Sequence, residues 1–297
     1  MSQGVLILAG PTASGKTALA LDLARRFDAE IVGADSRQIY RGMPIGTAAP
    51  TAAELASVPH HLIGFLDPRE RYSAARFARE AIDAIRSIHA RGRRVLVVGG
   101  TGFYIRALTG DVVLAGAYDE ALRERLAREA QTHEPAFLHA WLALFDPSRA
   151  SALDPNDSYR VVRALEVVLA KTAPDASTPS ESLRSIGVPF AKIFLDVPLP
   201  ENDLRIAQRT DAMLDEGLVE EAERIGADAV AASAVGYPQA LAYARGWSSR
   251  RELRETLARA TRRYARRQRS WFRREPDTQW LPPAAVAGAA REILGWS

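Results

Sequence analysis

The octapeptide Gly10-Pro11-Thr12-Ala13-Ser14-Gly15-Lys16-Thr17 restricts the fold more than any other stretch of this chain. Two glycines bracket four residues and lead into Lys-Thr, the pattern of a loop whose backbone amides close around an anion. Such a loop works only between a strand and a helix. The strand brings the chain to a sheet edge, and the helix N-terminus adds unpaired N–H groups and the positive end of its dipole. Both flanks are present: Val5–Ala9 is an apolar run of strand length, and Thr17–Arg26 has a helical pattern. Glycine lets the backbone curl, Lys16 adds a point charge, and the Thr17 hydroxyl is suited to Mg²⁺. Gly10, Pro11, Thr12, Ala13, Ser14, Gly15, Lys16 and Thr17 are therefore expected to hold a diphosphate, with Thr17 facing the metal.

A strand-loop-helix opening sets the class of the domain. Four further apolar runs, Ile31–Ala34, Leu62–Leu66, Val95–Val98 and Ile193–Val197, read as buried parallel strands, with helical patterns such as Ser73–Arg91 between them. The alternation predicts an α/β fold, a P-loop NTPase-like doubly wound parallel sheet. It stops after Gly110. From about Tyr118 to Ala170 the segments ALRERLAREA, PAFLHAWLALF and DSYRVVRALEVVLA are all helical in pattern, which predicts an inserted all-helical subdomain. Its exit, Thr172–Ser185, is rich in Pro, Ser and Thr and is expected to be a mobile linker. From Pro200 to Leu294 the chain reads as helices returning to the core. The expected division is a core begun by residues 1–110, an insertion over 111–187, and core completion with basic C-terminal helices over 188–297.

Composition excludes several classes of function. The 297 residues suffice for one large domain or a core with a subdomain, and no apolar run approaches the ~20 residues of a membrane span. With no cysteine there are no disulfides and no thiolate ligands or nucleophiles. The one adjacent histidine pair, His60-His61, points apart on a strand, which argues against zinc. The N-terminus enters a strand-like run with no basic leader, so a cytoplasmic protein is expected. A net charge of +3 hides an acidic stretch over 111–160 and an arginine-rich last quarter, an asymmetry that suggests a polyanion partner.

A P-loop kinase or hydrolase needs a second acidic group near the metal, often at the end of an apolar strand. Here Val95–Val98 runs instead into Gly99-Gly100-Thr101-Gly102, and the nearest strand-end acid is Asp35, in Gly33-Ala34-Asp35-Ser36-Arg37-Gln38. In a parallel sheet these loops open on one edge, so Lys16, Asp35 and Thr101 should converge. Asp35 alone fits a cap or turn residue equally well, and Thr101 a turn or cap hydroxyl; convergence with the loop favours the catalytic reading. The segment 262–274 carries seven arginines and no acid. At ~100° per residue they occupy one half of a helix, while Tyr264, Gln268, Trp271 and Phe272 form the docking half. Unbalanced arginines would repel one another unless phosphates sit nearby, which makes Arg262, Arg266 and Arg269 candidate nucleic-acid contacts.

The blocks GPTASGKT at 10–17, DSRQIYRGMPIGTA at 35–48, VPHHL at 58–62, GGTGFY at 99–104, DPNDSYRVVRALEV at 154–167, AVGYPQ at 234–239 and TRRYARRQRSWFRR at 261–274 occur in a specific order and spacing. The chain resembles the bacterial tRNA dimethylallyltransferases over nearly its whole length. That resemblance implies transfer of a dimethylallyl group from dimethylallyl diphosphate to N6 of adenosine 37, next to the anticodon of tRNA, with release of diphosphate. It implies Asp35 as general base, with Lys16 and Thr101 as further catalytic residues, and Mg²⁺ as cofactor. Asp35, Ser36, Arg37, Gln38 and Thr101 match a segment that meets the flipped adenine and its neighbours. Tyr159, Arg160, Val161, Val162 and Arg163 match a grip on the anticodon stem-loop, and Val235, Gly236, Tyr237 and Gln239 match another tRNA-contact loop. Arg209 is similar to an arginine near the diphosphate. The partners implied are tRNA and dimethylallyl diphosphate, with no membrane and a monomeric enzyme. Ala49 and Pro238 stand where many members have basic residues, so phosphate or tRNA contacts there are weakened; Phe103 replaces a commoner leucine and is expected to pack harmlessly.

The chemistry is coherent with these assignments. Adenine N6 is a weak nucleophile because its lone pair is delocalised, so the barrier must fall mainly by stabilising the leaving diphosphate. A metabolite kinase fits only the first 110 residues, and a noncatalytic RNA-binding ATPase fits only the loop and the basic helix.

Overall fold

The computed structural model of the chain describes residues 4–112, 120–169 and 181–296. Tyr118 and Ala170, the expected ends of the insertion, and linker residues 172–180 lie outside them. The chain divides into two compact units, one made of residues 1–112 with 181–297 and the other of 113–180.

The larger unit is built on six parallel strands: β1 (Val5–Ala9), β2 (Ala29–Gly33), β3 (His60–His61), β4 (Arg94–Gly99), β5 (Phe190–Leu195) and β6 (Thr278–Leu281), in the order β3-β2-β4-β1-β5-β6. β1 pairs Val5–Ala9 with Val95–Gly99 on one side and with Phe190–Phe194 on the other. It is buried throughout, which is why it reads as an unbroken apolar run. The helices Lys16–Arg26 and Val286–Leu294 cover one face through Leu6, Leu8, Leu96, Ile193 and Leu195. On the helix Arg250–Phe272, Phe272 meets Phe194 of β5, with ring centroids 4.9 Å apart.

Three expectations are corrected. The apolar run Leu62–Leu66 is not a strand; the strand is the polar pair His60–His61, beside Ile31 and Val32. His61 Nε2 lies 2.7 Å from the buried Glu30 carboxylate, which Arg91 also binds. Past it, Leu62 and Gly64 both take left-handed backbone, and Gly64 and Phe65 donate N–H bonds to Gln38 and Ile39 carbonyls instead of to a ladder. The stretch after Pro200 is not purely helical, because Thr278–Leu281 adds the edge strand β6 to β5. The described part of the expected linker, from Glu181 to Ser185, is a pinned turn. Leu183 N–H donates to Leu108 O at 2.8 Å, Arg86 grips Glu181 through both carboxylate oxygens, and Arg184 and the buried Lys192 both bind Asp111.

The smaller unit contains the helices Glu120–Thr132, Pro135–Phe145, Pro147–Ser151 and Ser158–Leu169. It has its own apolar cluster, centred on Leu126, Leu138, Leu142, Val161 and Leu165. Arg123 and Arg163 both pair with the buried Glu166, so that acid is not left uncompensated.

Candidate active site

At the C-terminal ends of β1 and β2 a cavity of about 490 Å³ opens between the P-loop, residues 35–38 and the helices Leu199–Asp215 and Arg250–Phe272. The loop is shaped by local conformation. Ala13 and Gly15 both have positive φ, and Gly15 at +85° is the residue from which the helix Lys16–Arg26 starts. Only glycine takes that backbone at little cost. Lys16 Nζ donates to the Gly10 and Pro11 carbonyls, each at 2.8 Å, so the ammonium curls over the loop it serves. Burial pushes it down to about 7, opposed by the attraction of Asp35 and reinforced by repulsion from Arg209. Ser14 Oγ is buried in the loop with no partner among the described residues.

Asp35 follows the end of β2. One of its oxygens accepts from the Arg37 amide at 2.8 Å, so it serves as a turn residue while its carboxylate lines the cavity. Thr101 Oγ1 does not cap its own helix but accepts the Ser36 amide at 2.9 Å, holding the segment next to Asp35. The phenols of Tyr104 and Tyr264 are pushed up chiefly by burial, with the negative charge of Asp35 a smaller cause for both and that of Tyr40 a further one for Tyr104. Lys16, Asp35 and Thr101 are thus gathered at one sheet edge. Arg209 lines the cavity too, with Nη1 3.4 Å from Thr12 Oγ1.

Several expected contacts are engaged elsewhere. Gln38 Nε2 donates to the carbonyls of Thr47 and Ala48, fixing a cavity wall. Tyr237 cannot touch RNA with its side chain: it is fully buried, and its hydroxyl donates to Glu221 at 2.7 Å. Gln239 Oε1 accepts from the Gly236 amide, and within that loop Val235 lines the cavity. Val161 is buried in the smaller unit's core, so it presents no contact surface, and Val162 is partly buried against that core. Tyr159 is 74% exposed. Arg160 pairs with Asp157, and Arg163 with Glu166. Pro238 is exposed, and Phe103, 50% exposed, is not the packing residue expected.

The basic helix also differs from expectation. Acids from other elements answer some of its arginines: Arg269 is only 12% exposed and binds Asp196 Oδ1 at 2.9 Å and Val197 O at 3.0 Å, while Asp203 approaches Arg262 and Arg266. Arg269 is therefore an internal brace. An open groove of about 550 Å³ remains, lined by Arg259, Arg262, Arg263, Arg266, Arg267 and Ser270. Trp271 lies over Gly102, where any Cβ would come within 2.1 Å of its ring, and Arg106 stacks on its face.

Sequence reasoning missed the residues that brace the loop. Asn202 and Arg205 bond to Thr12 O and Ser14 O, two turns and one turn before the expected Arg209, which meets Thr12 Oγ1. Buried Glu221 accepts the amides of Ile45 and Gly46, which hold Thr47 and Ala48 at the cavity wall. Polar residues on otherwise buried helix faces were the available signal.

Residues 38–275 match the family model described as IPP transferase. The chain is 45% identical over 295 residues to the tRNA dimethylallyltransferase of Anaeromyxobacter dehalogenans, covering 98% of this chain and 97% of that one. It is 42% identical to the Geobacter sulfurreducens tRNA dimethylallyltransferase, covering 93% and 91%. The full-length tRNA isopentenylpyrophosphate transferase of Bacillus halodurans has a similar structure, with TM-score 0.71 and 34% identity over 99% of this chain and 97% of that one. A eukaryotic dimethylallyltransferase acting on tRNA matches with TM-score 0.78 and 25% identity, over 99% of this chain and 77% of that one.

Proposed function

The chain belongs to the IPP transferase family, and on that premise we propose how its residues act as a tRNA dimethylallyltransferase. Dimethylallyl diphosphate lies in the cavity with its diphosphate in the P-loop. The N6 amine of adenosine 37 attacks the allylic carbon, the C–O bond breaks, and the diphosphate departs with the bonding electrons. Asp35 takes the N6 proton, which becomes acidic as the N–C bond forms, so an ordinary carboxylate suffices. The observation that carries this reading is that one cavity is lined both by the P-loop with Arg209 and by Asp35.

Leaving-group stabilisation falls to Lys16, Arg209 and the amides that open the helix Lys16–Arg26, aimed where charge grows. Mg²⁺ fits the donor chemistry: the Thr17 hydroxyl lines the cavity beside the diphosphate cradle, and this ion takes oxygen ligands and leaves positions for substrate phosphates. When bound, it neutralises charge developing on the diphosphate. The flipped base needs an enclosing RNA surface. Arg263, Arg266 and Arg267 along the basic groove, together with Tyr159 and Arg160 on the smaller unit, are its proposed contacts, in a monomeric cytoplasmic enzyme.

Incubating the protein with tRNA and radiolabelled dimethylallyl diphosphate, and separately with γ-labelled ATP and small metabolites, tests the reading. Label should enter tRNA from the first donor; phosphate transfer from the second without prenylation would point instead to a kinase.

A further inference from the structure

We propose that Gln268 is a positioning residue that sets, from the basic helix, the distance between the leaving-group loop and the base, an inference that rests on the transferase reading above. Gln268 is the one polar residue among the buried side chains of the helix Arg250–Phe272, between Ala265 and Phe272 on the face that meets the sheet. A buried carboxamide must be satisfied, and glutamine offers both an acceptor and donors. Here both are used. Its Oε1 accepts the Thr12 amide of the P-loop at 2.8 Å, and its Nε2 donates to Gly100 O at 3.1 Å in the turn after β4. The fit is close at both ends. A Cβ on Gly100 would stand 2.2 Å from Gln268 Nε2, so only glycine admits the amide.

The two anchors lead to opposite sides of the reaction. Thr12 belongs to the diphosphate cradle. Gly100 precedes Thr101, whose hydroxyl accepts the amide of Ser36, the neighbour of Asp35. A connected path therefore runs from Thr12 through Gln268, Gly100, Thr101 and Ser36 to Asp35, joining four separate segments of the sequence. Nucleophile, base and leaving group must be held within about an ångström for efficient transfer, so a loose amide at this junction costs turnover more than it costs RNA affinity.

The test compares Gln268→Met, similar in volume but unable to make either bond, with Gln268→Glu, which keeps an acceptor for Thr12 and loses the donor to Gly100. Turnover, tRNA KM, affinity for inorganic pyrophosphate with Mg²⁺, and melting temperature are measured for each. Gln268→Met is expected to lose roughly tenfold in pyrophosphate affinity and at least as much in kcat, with tRNA KM within about twofold of wild type. Gln268→Glu should recover most of the pyrophosphate affinity but not kcat. Wild-type kcat in folded Gln268→Met overturns the inference, as does a result in which tRNA KM rises and pyrophosphate affinity falls together in both variants. If Gln268→Met does not fold, Gly100→Ala, which pushes the amide aside, must give the same split between kcat and tRNA KM. Absence of prenylation by wild type would defeat the transferase reading alone, since the pyrophosphate measurement still tests the position of the loop.

Discussion

Lys16 gives the sharpest quantitative expectation. Its ammonium is lowered from 10.5 to about 7 by burial. About 90% of the side chain is then neutral at pH 8 and about 10% at pH 6. A diphosphate in the loop supplies the counter-charge that burial withholds and returns the group toward its ordinary value. Binding at pH 8 should therefore draw in ~0.9 proton per ligand and at pH 6 only ~0.1, and intrinsic affinity should fall about tenfold between the two. The sign for folding runs the other way. From pH 7 to 10.5 the unfolded chain binds a proton that the folded chain does not, so stability rises with pH across that window. The assay is calorimetric titration with inorganic pyrophosphate in buffers of different ionisation enthalpy, subtracting the ligand's own protonation measured in the same buffers. Uptake at pH 8 no greater than at pH 6 would refute the argument, because it would mean that Lys16 is already charged before the ligand arrives.

Asp35→Asn should keep tRNA and pyrophosphate affinity while lowering kcat by roughly 10²–10⁴-fold, the usual worth of a general base, in single-turnover kinetics. Arg263→Ala and Arg267→Ala should each flatten the salt dependence of tRNA binding by about one unit of slope, whereas Arg269→Ala, which strands Asp196, should lower the melting temperature first. Glu221→Ala leaves two loop amides and the Tyr237 hydroxyl unpaired and should cost about 2–4 kcal/mol in denaturant unfolding, against about 1 kcal/mol for Tyr237→Phe.

The parts of the site that are legible in sequence are those in which a residue's type is dictated by its own backbone. Gly15 must take positive φ, β1 must be apolar on both faces, and a lysine and a hydroxyl must follow the loop; these requirements are local and leave a spaced pattern. β3 departs from the expected position because what makes His60–His61 a strand is a partner on β2: the half-buried ring of His61 meets the buried carboxylate of Glu30, and apolarity gives no hint of it. β6 is a four-residue edge strand, too short for a periodic signal. Gln268, Asn202 and Glu221 show in the sequence only as polar residues on apolar helix faces, and their partners do not show at all, for a related reason. Each binds backbone atoms of a segment remote in sequence, and a backbone carbonyl or amide has no letter in the sequence to pair with. The internal pairing of Arg269, expected among the nucleic-acid contacts, has the same cause, since Asp196 comes from outside the helix.

The strand order has a consequence for the protein's birth on the ribosome. β1 is made first, but the neighbour on one of its edges, β5, ends at Leu195, 96 residues after β4 ends at Gly99. At ~5–20 residues per second, β1 presents that bare, wholly apolar edge for roughly 5–20 s while the helical insertion is synthesised. The insertion has its own apolar cluster, built by helices that are neighbours in sequence, and a unit of such local contacts folds fast enough to form within that interval. An unpaired edge of this kind is a template for pairing with another nascent chain. Crowded synthesis should therefore endanger this enzyme more than heating the finished fold, with aggregates nucleated by Val5–Ala9 rather than by the exposed aromatics of the mature surface.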